Sequence, residues 1–555
     1  MKKKNIFKLL CTIVCSLFLF SCTRGTGIVN ILDDTSIKDD SSVYDGLDDS
    51  SVKELYITVL NPKENSRKYD YTLTQVNDNY TGITEKEEPI VKVIFQEGKN
   101  GVISNTDYGF GMTDYNGTME LRGQSSKLAN LKSYKIELSK SALWDGYQVV
   151  NLNKHPFDDI RVRNKLSFDL IKDVPNITSL KTQFVHLFIK DYSEGDYSNS
   201  YVDYGLFTQV ERIDRDYLEN HGLDSAGNLY KVENFEFYRY ENAIKLEDDI
   251  DFNKKDFEEL LEIKNGDDHS KLIKMLDDVN NKYMHINTVI SKHFDRDNLL
   301  TWLAINILTD NIDTSSRNYF LYSPSDSDIW YFLPWDYDKG LGAYSNNRGL
   351  WQNGVSNYFG NVLIKRFLEN KTNFLDLSRK VEEVYNIMTK EKIEELVELY
   401  EPIALEYLLR EPDNQKGFVD LEEVKESFDM LPTEVESNYQ EYLESIQKPI
   451  PVFIGNPFLY GNYLQFTWSD SYDFQGDKIT YTLEISDSIS FDNILLRQSG
   501  IKDTELIIKK LPPGHYYCKV FTDDSEGNRM GAFDIYIDLK NGIYGYGMKD
   551  FYINK

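Results

Sequence analysis

The hydrophobic pattern of the 555-residue chain changes period twice, and those changes limit what it can fold into. From about 53 to 140 the apolar residues sit in short runs of β-formers bounded by Asn, Pro and Gly, such as Leu55-Tyr56-Ile57-Thr58-Val59-Leu60 and Ile90-Val91-Lys92-Val93-Ile94-Phe95. Such runs predict strands. A helix is predicted over 158–173, with Leu166, Leu170 and Ile171 on one side, and strand character returns over 181–189 and 201–211. From about 254 to 310, and again over 360–447, apolar residues recur at helical spacing. Pro449 and Pro451 mark a break, after which 452–540 carries alternating runs such as Leu464-Gln465-Phe466-Thr467-Trp468 and Tyr517-Cys518-Lys519-Val520-Phe521. A β-rich part with one early helix, then a helix-rich part, reads as a two-lobed α+β domain; the short alternating strands beyond it read as an all-β sandwich.

The beginning of the chain reads as a targeting segment. Lys2, Lys3, Lys4 and Lys8 precede and flank an apolar run over 6–20, too short to cross a bilayer comfortably. Its end, Leu19-Phe20-Ser21-Cys22, resembles a bacterial lipobox, although Phe20 is bulkier than the usual residue there. The domain reading is therefore an export signal over 1–22 with Cys22 lipidated, a disordered polar tether over 23–52, a main domain over 53–447 and a sandwich over 448–545. The expected location is outside the cell, lipid-anchored to a bacterial membrane or surface. A formal net charge of −29 repels nucleic acid, so none is expected as a partner. Of the four cysteines, Cys11 and Cys15 lie in the signal and Cys22 at its end, which leaves Cys518 without a partner and excludes a disulfide framework.

Chemistry concentrates in two stretches. Thr309-Asp310-Asn311-Ile312-Asp313-Thr314-Ser315-Ser316-Arg317-Asn318 follows an apolar helix and precedes a strand-like run, and Trp335-Asp336-Tyr337-Asp338 follows the next apolar run. Phosphoryl transfer needs a carboxylate near the acceptor hydroxyl and oxygen ligands for the magnesium on the nucleotide. Asp313, Asn318 five residues later, and Asp336 beyond a hairpin have the spacing with which protein kinases supply them. Magnesium accepts such a mixed carboxylate and amide set, completed by phosphate and water. Turn chemistry explains Asp and Asn at these places equally well.

Several blocks, in order, resemble the CotH kinase family. They are Leu121-Arg122-Gly123-Gln124-Ser125-Ser126, Lys132-Ser133-Tyr134-Lys135-Ile136, Arg163-Asn164, Gly227-Asn228-Leu229-Tyr230-Lys231 and Trp335-Asp336-Tyr337-Asp338. The resemblance spans roughly 53–440 and implies an atypical protein-kinase fold using ATP with Mg2+ or Mn2+. It implies that Asp313 is the catalytic aspartate, that Asn318 and Asp336 hold the metal with Asp338 as a helper, and that Lys132 or Lys135 reaches the phosphates. Lys132 shares a strand face with Tyr134 and Ile136, which favours it. Arg122, Gly123, Ser125 and Ser126 are implied to turn over the phosphates, and Glu211 to lie near a nucleotide-contacting hinge. Gln124 stands where the family commonly has Asn, and the 158–173 helix offers no glutamate to pair with the lysine. Trp468 with Tyr516 and Tyr517 resembles a fibronectin type III module. The activity implied is phosphotransfer to Ser, Thr or Tyr hydroxyls of a surface or coat protein. The alternative is a non-catalytic surface protein, structural or glycan-binding, on a kinase-like scaffold.

Overall fold

The computed structural model describes residues 36–47, 49–62, 71–78, 88–140, 143–195, 200–343, 349, 351–414 and 420–554. The export signal and Cys22 lie outside the described residues. Among the described residues no helix is long and apolar enough to cross a membrane.

Seven strands close a barrel: β1 (Val52–Val59), β2 (Val91–Gly98), β3 (Gly117–Leu121), β4 (Tyr134–Leu138), β5 (Val149–Asn153), β6 (Thr182–Asp191) and β7 (Val202–Val210), in the order β1-β2-β3-β4-β5-β7-β6. Every pairing is antiparallel except β1 with β6, which run parallel and close the ring. Alternation fills the barrel: Leu55, Ile57 and Val59 point in from β1, Tyr134, Ile136 and Leu138 from β4, and Val185, Leu187 and Ile189 from β6.

Beyond the barrel, helix α1 (Arg163–Ile171) is buried along its whole length, which explains why its residues show little one-sidedness. A four-stranded antiparallel sheet follows, formed by β8 (Asn228–Val232), β9 (Leu261–Asn265), β10 (Tyr319–Ser323) and β11 (Tyr331–Pro334) in the order β11-β10-β8-β9. Around it lie α2 (Ser270–Asn280), α3 (Ile286–His293), α4 (Arg296–Leu308), α5 (Val362–Leu368), α6 (Lys371–Tyr385), α7 (Lys390–Leu408) and α8 (Leu421–Ser445). Helix α4, buried from Asn298 to its end, is the axle of this part: Leu299, Trp302, Leu303, Ala304, Ile305 and Leu308 are fully buried in one core that also holds residues of α1 and α6.

The C-terminal part is two antiparallel sheets. One joins β12 (Phe458–Tyr460), β13 (Tyr463–Thr467) and β16 (Glu505–Lys509); the other joins β14 (Thr480–Ser486), β15 (Ile494–Ile501), β17 (Gly514–Asp523), β18 (Arg529–Gly531) and β21 (Met548–Ile553). A hairpin, β19 (Ile535–Asp538) with β20 (Ile543–Tyr546), precedes the last strand. The two sheets share a core of their own, with Leu464 and Phe466 from one and Leu483, Ile485, Cys518 and Val520 from the other. Tyr516 Oη donates to the carbonyl of Pro512 at 2.9 Å, fixing the corner between β16 and β17.

Two segment readings change. Within the stretch expected to be a disordered tether, residues 36–47 and 49–51 pack on the folded body. Ile37 is buried in the main core, Ser179 N donates to Tyr44 Oη at 3.0 Å, and Asp49 pairs with Lys165 at 2.6 Å. The few apolar residues there have partners that no local pattern reveals. The C-terminal sandwich also runs beyond 545: β21 pairs with β17 and contributes Phe551 and Ile553 to the core.

Candidate functional site

The β10–β11 hairpin does most of the positioning. Its register sets Tyr319 opposite Pro334, so Asn318, just before β10, and Trp335-Asp336, just after β11, emerge at one end. Asn318 (φ 61°) and Asp336 (φ 62°) both adopt the left-handed conformation, which asparagine and aspartate tolerate better than most residues. The 335–342 segment then lies along the loop that follows α4. Asn311 Nδ2 donates to the Asp336 carbonyl at 3.1 Å and Leu341 N to the Thr309 carbonyl at 2.7 Å. A side chain at Gly340 would meet that Thr309 oxygen at 3.0 Å, so the approach favours glycine. Tyr337 Oη donates to Asn306 Oδ1 at 2.9 Å and anchors the turn on the buried helix. Asp313, in a short 3-10 turn (Ile312–Thr314), reaches this segment through Lys339, whose Nζ lies 3.4 Å from Asp313 Oδ2.

The barrel contributes the other wall. Arg122 follows β3 and lays its guanidinium over the Trp335 ring, 5.5 Å from the centroid. His155 follows β5, and its Nδ1 lies 3.5 Å from Asp338 Oδ2. The acidic pair thus sits where the barrel meets the four-stranded sheet. Burial, with Asp338 beside it, pushes the Asp336 carboxyl up to about 6, against the opposing pull of His155, Arg122 and Lys231. Burial also raises Asp338, but the hydrogen bond and charge of His155, with Lys339 and Arg122, hold it below the ordinary carboxylate value. Burial brings the Arg122 guanidinium down to about 10, Asp336 working against that shift and Arg212 with it. Two buried polar atoms here have no hydrogen-bond partner, Asn311 Oδ1 and His155 Nε2.

Asp313, Asn318, Asp336, Asp338 and Arg122 therefore come together. The remaining positions do so less or not at all. The turn after Arg122 is tight: Gly123 has φ 91°, a Cβ there would collide with Ser126 Oγ, and Ser126 Oγ donates to the Arg122 carbonyl. Ser125 and Ser126 open a short 3-10 helix (Ser125–Leu128), and Gln124 reaches Glu233, the ion-pair partner of Lys231. Lys132 lies outside β4 and donates to the Lys127 carbonyl at 2.7 Å; Lys135 points out of the barrel and pairs with Glu120, its cross-strand neighbour. Lys231 is a lysine whose charge reaches Asp336. The acids of the 158–173 stretch have partners of their own. Asp158 pairs with Arg163, Asp169 with Lys165 and Lys172, and Asp173 with Lys392. Glu211, directly after β7, is buried: its carboxylate accepts from Lys181 N at 2.9 Å and lies 3.1 Å from His221 Nε2. Asp313, Asp336 and Asp338 do not gather their oxygens on one point. Among the described residues that close grouping is found for Asp473, Asp477 and Asp524.

Sequence reasoning assigned no role to His155, Asn311, Lys339, Arg212 or Lys231. Lys231 stood in the Gly227–Lys231 block, Asn311 in the Thr309–Asn318 stretch and Lys339 next to Asp338; His155 and Arg212 are brought in by the fold.

The CotH kinase protein family matches residues 119–448, more than half of the chain, and the chain belongs to that family. The match starts inside the barrel, at β3, and ends where the sandwich begins. The chain is 26% identical over 302 residues to the inner spore coat protein H of Bacillus subtilis (strain 168), an alignment covering 52% of this chain and 77% of that protein.

Proposed function

We propose that the chain is an exported phosphotransferase that moves a phosphoryl group from ATP, carried with Mg2+ or Mn2+, to a Ser, Thr or Tyr hydroxyl of a surface or coat protein. Family membership and the coat-protein relative support the class and the location. The observation that carries the reading is the shared end of the β10–β11 hairpin. There Asn318 and Asp336 emerge together, and Lys339 links the same segment to Asp313. A divalent ion suits this donor set. Magnesium takes one or two carboxylates, with amide, phosphate and water oxygens making up the rest, and Asn311 Oδ1 is a buried oxygen without a partner beside Asp336. When bound, the ion would offset phosphate charge. Asp336 and Asn318 would hold it, and Asp338, fixed by His155, would support Asp336. Arg122 and Lys231 supply positive charge on the phosphate side. Asp313 would orient the acceptor hydroxyl and take its proton as the new bond to the γ-phosphorus forms and ADP leaves. Lipid attachment at Cys22 fits this location.

The test is incubation with labelled ATP and Mg2+ or Mn2+, followed by mapping of any modified residue. Asp313→Asn and Asp336→Asn are expected to lower transfer by about a hundredfold or more, with unchanged circular dichroism. Equal transfer by both variants refutes the reading.

The C-terminal sandwich supports a second, binding role. We read it as fibronectin type III-like, from its three-strand and larger facing sheets and from the Tyr516 corner. Phe458, Tyr460 and Tyr463 stand exposed side by side on β12 and β13, a surface suited to stacking on a sugar or gripping a protein. Retention on a glycan or coat matrix that Tyr460→Ser abolishes while phosphotransfer persists would assign that role to the sandwich.

A further inference from the structure

Asp473, Asp477 and Asp524 each offer a carboxylate oxygen within 4.8 Å of the others, at one end of the C-terminal sandwich. Two loops bring them there, and the two have the same form: Asp473-Phe474-Gln475-Gly476-Asp477 before β14 and Asp524-Ser525-Glu526-Gly527-Asn528 between β17 and β18. Their printed side-chain partners are neutral: Asn528 Nδ2 donates to Asp524 Oδ2 at 2.7 Å and Ser525 Oγ to Asp477 Oδ1 at 3.3 Å, so three acidic groups face one another. Like charges this close repel, and a cation is the usual remedy.

A separate observation points to a ligand. Asp473 is 3% exposed. Its Oδ1 accepts from Gln475 N and Asp477 N, both at 2.9 Å, while its Oδ2 is buried with no hydrogen-bond partner. An unmet buried carboxylate oxygen is costly unless something fills the place. Thr522, near the end of β17 and two residues before Asp524, is fully buried and its Oγ1 also lacks a partner.

We propose that Asp473, Asp477 and Asp524 form a calcium site that fastens the sandwich to the helical part of the chain. Calcium suits all-oxygen, loop-borne ligands in irregular geometry, whereas magnesium demands a tighter octahedron and gives up water reluctantly. The fastening follows from what else the 473–477 loop does. Phe474 stacks on Phe374 of α6, with ring centroids 4.1 Å apart, and lies 5.8 Å from Phe359. Gln475 Nε2 donates to the Ile446 carbonyl at the end of α8 at 2.9 Å. The loop that carries two of the ligands is thus the loop that docks on the helices. An ion tying it to the β17–β18 hairpin would stiffen the junction of the two parts.

The test uses the full chain, stripped with chelator and titrated with calcium chloride by calorimetry, together with melting and hydrogen exchange. One site is expected, with a dissociation constant on the order of 10⁻⁵ to 10⁻³ M, and magnesium at least tenfold weaker. Calcium should slow exchange over 470–478 and 522–530. Asp473→Asn and Asp524→Asn should weaken binding at least tenfold. Asp477→Asn, whose side chain is only partly buried, should weaken it severalfold while melting like the parent in chelator, which covers the case in which the buried variants fold poorly. Asp336→Asn should leave this binding unchanged, separating it from the proposed phosphotransfer site. Absence of calcium binding, equal preference for magnesium, or binding undiminished in Asp477→Asn overturns the proposal.

Discussion

Asp336 is the residue whose chemistry the surroundings alter most usefully. Its carboxyl is pushed up to about 6, above the ordinary 3.8, so near neutral pH it is charged and at pH 5 it is mostly protonated. A proton and a divalent ion compete for the same oxygens. Metal-nucleotide affinity, measured by calorimetry, is expected to fall steeply below pH 6. The stability sign is opposite. The raised value means the fold holds its proton more tightly than the unfolded chain, so this group's penalty is absent below about 4 and complete above 6. Asp336→Asn should therefore melt higher than the parent at pH 7.5 and not at pH 3.5. Glu211 tells a different story. His221 is held between Glu211 and Asp39, and although burial lowers it, those two acids raise it to about 9. Its stabilising contribution is complete below about 6.5 and lost as pH rises through 9. Hydrogen exchange over 36–47 is expected to quicken above pH 9 and to do so already at pH 7 in His221→Gln; no change in either would remove the charge from the docking of this segment. At this scale the sequence singled out Asp313, Asn318 and Asp336 by their spacing, and the β10–β11 hairpin brings Asn318 and Asp336 to one end. His155 and Arg212 were illegible because each comes from a separate loop with no spacing to the acids; Asn311 stood two residues before Asp313, but nothing local shows that its side chain meets the Asp336 backbone. Lys132 was misplaced because β4 begins at Tyr134, so the alternation of faces does not extend back to residue 132.

Among elements, strands and long helices were the most legible. The period-two runs became β1, β2, β13, β14 and β17, and the helical stretch over 360–447 became α5 to α8. Strand β9 was hidden inside a stretch read as helical. Its five residues, Leu261-Glu262-Ile263-Lys264-Asn265, are too few to separate a period of two from one of 3.6. Strand β21 was overlooked because Met548-Lys549-Asp550-Phe551-Tyr552-Ile553 alternates irregularly and lies past the last clear turn. The corner between β16 and β17 offers a direct measurement. Tyr516→Phe keeps the ring in the core and removes one hydrogen bond, to the Pro512 carbonyl. About 1 kcal/mol of stability should be lost in denaturant unfolding of the sandwich, with little change in the main domain.

Across the whole molecule, one buried ion pair joins the barrel to the segment between α7 and α8. Lys154 Nζ lies 2.7 Å from Asp413 Oδ1 and donates to the Tyr204 carbonyl, while Leu206 N donates to Asp413 Oδ2; both side chains are almost wholly buried. Removing one partner strands the other's charge. Asp413→Asn is expected to cost about 3–5 kcal/mol in global unfolding, and pairing it with Lys154→Met should recover much of that loss. A double variant no more stable than Asp413→Asn would show that packing, not charge, governs the junction. The pairing of β1 with β6 bears on how such a molecule comes into being. These strands lie side by side although 122 residues separate the end of β1 from the start of β6. As the ribosome threads out the polypeptide, the earliest strand must idle beside β2 with one edge bare until its distant companion is made. Non-local closures of that kind are slow. For a chain that reaches its destination unfolded, a delay in sealing the ring keeps it threadable; for one stalled on the way, the same bare edge invites capture by a sister chain.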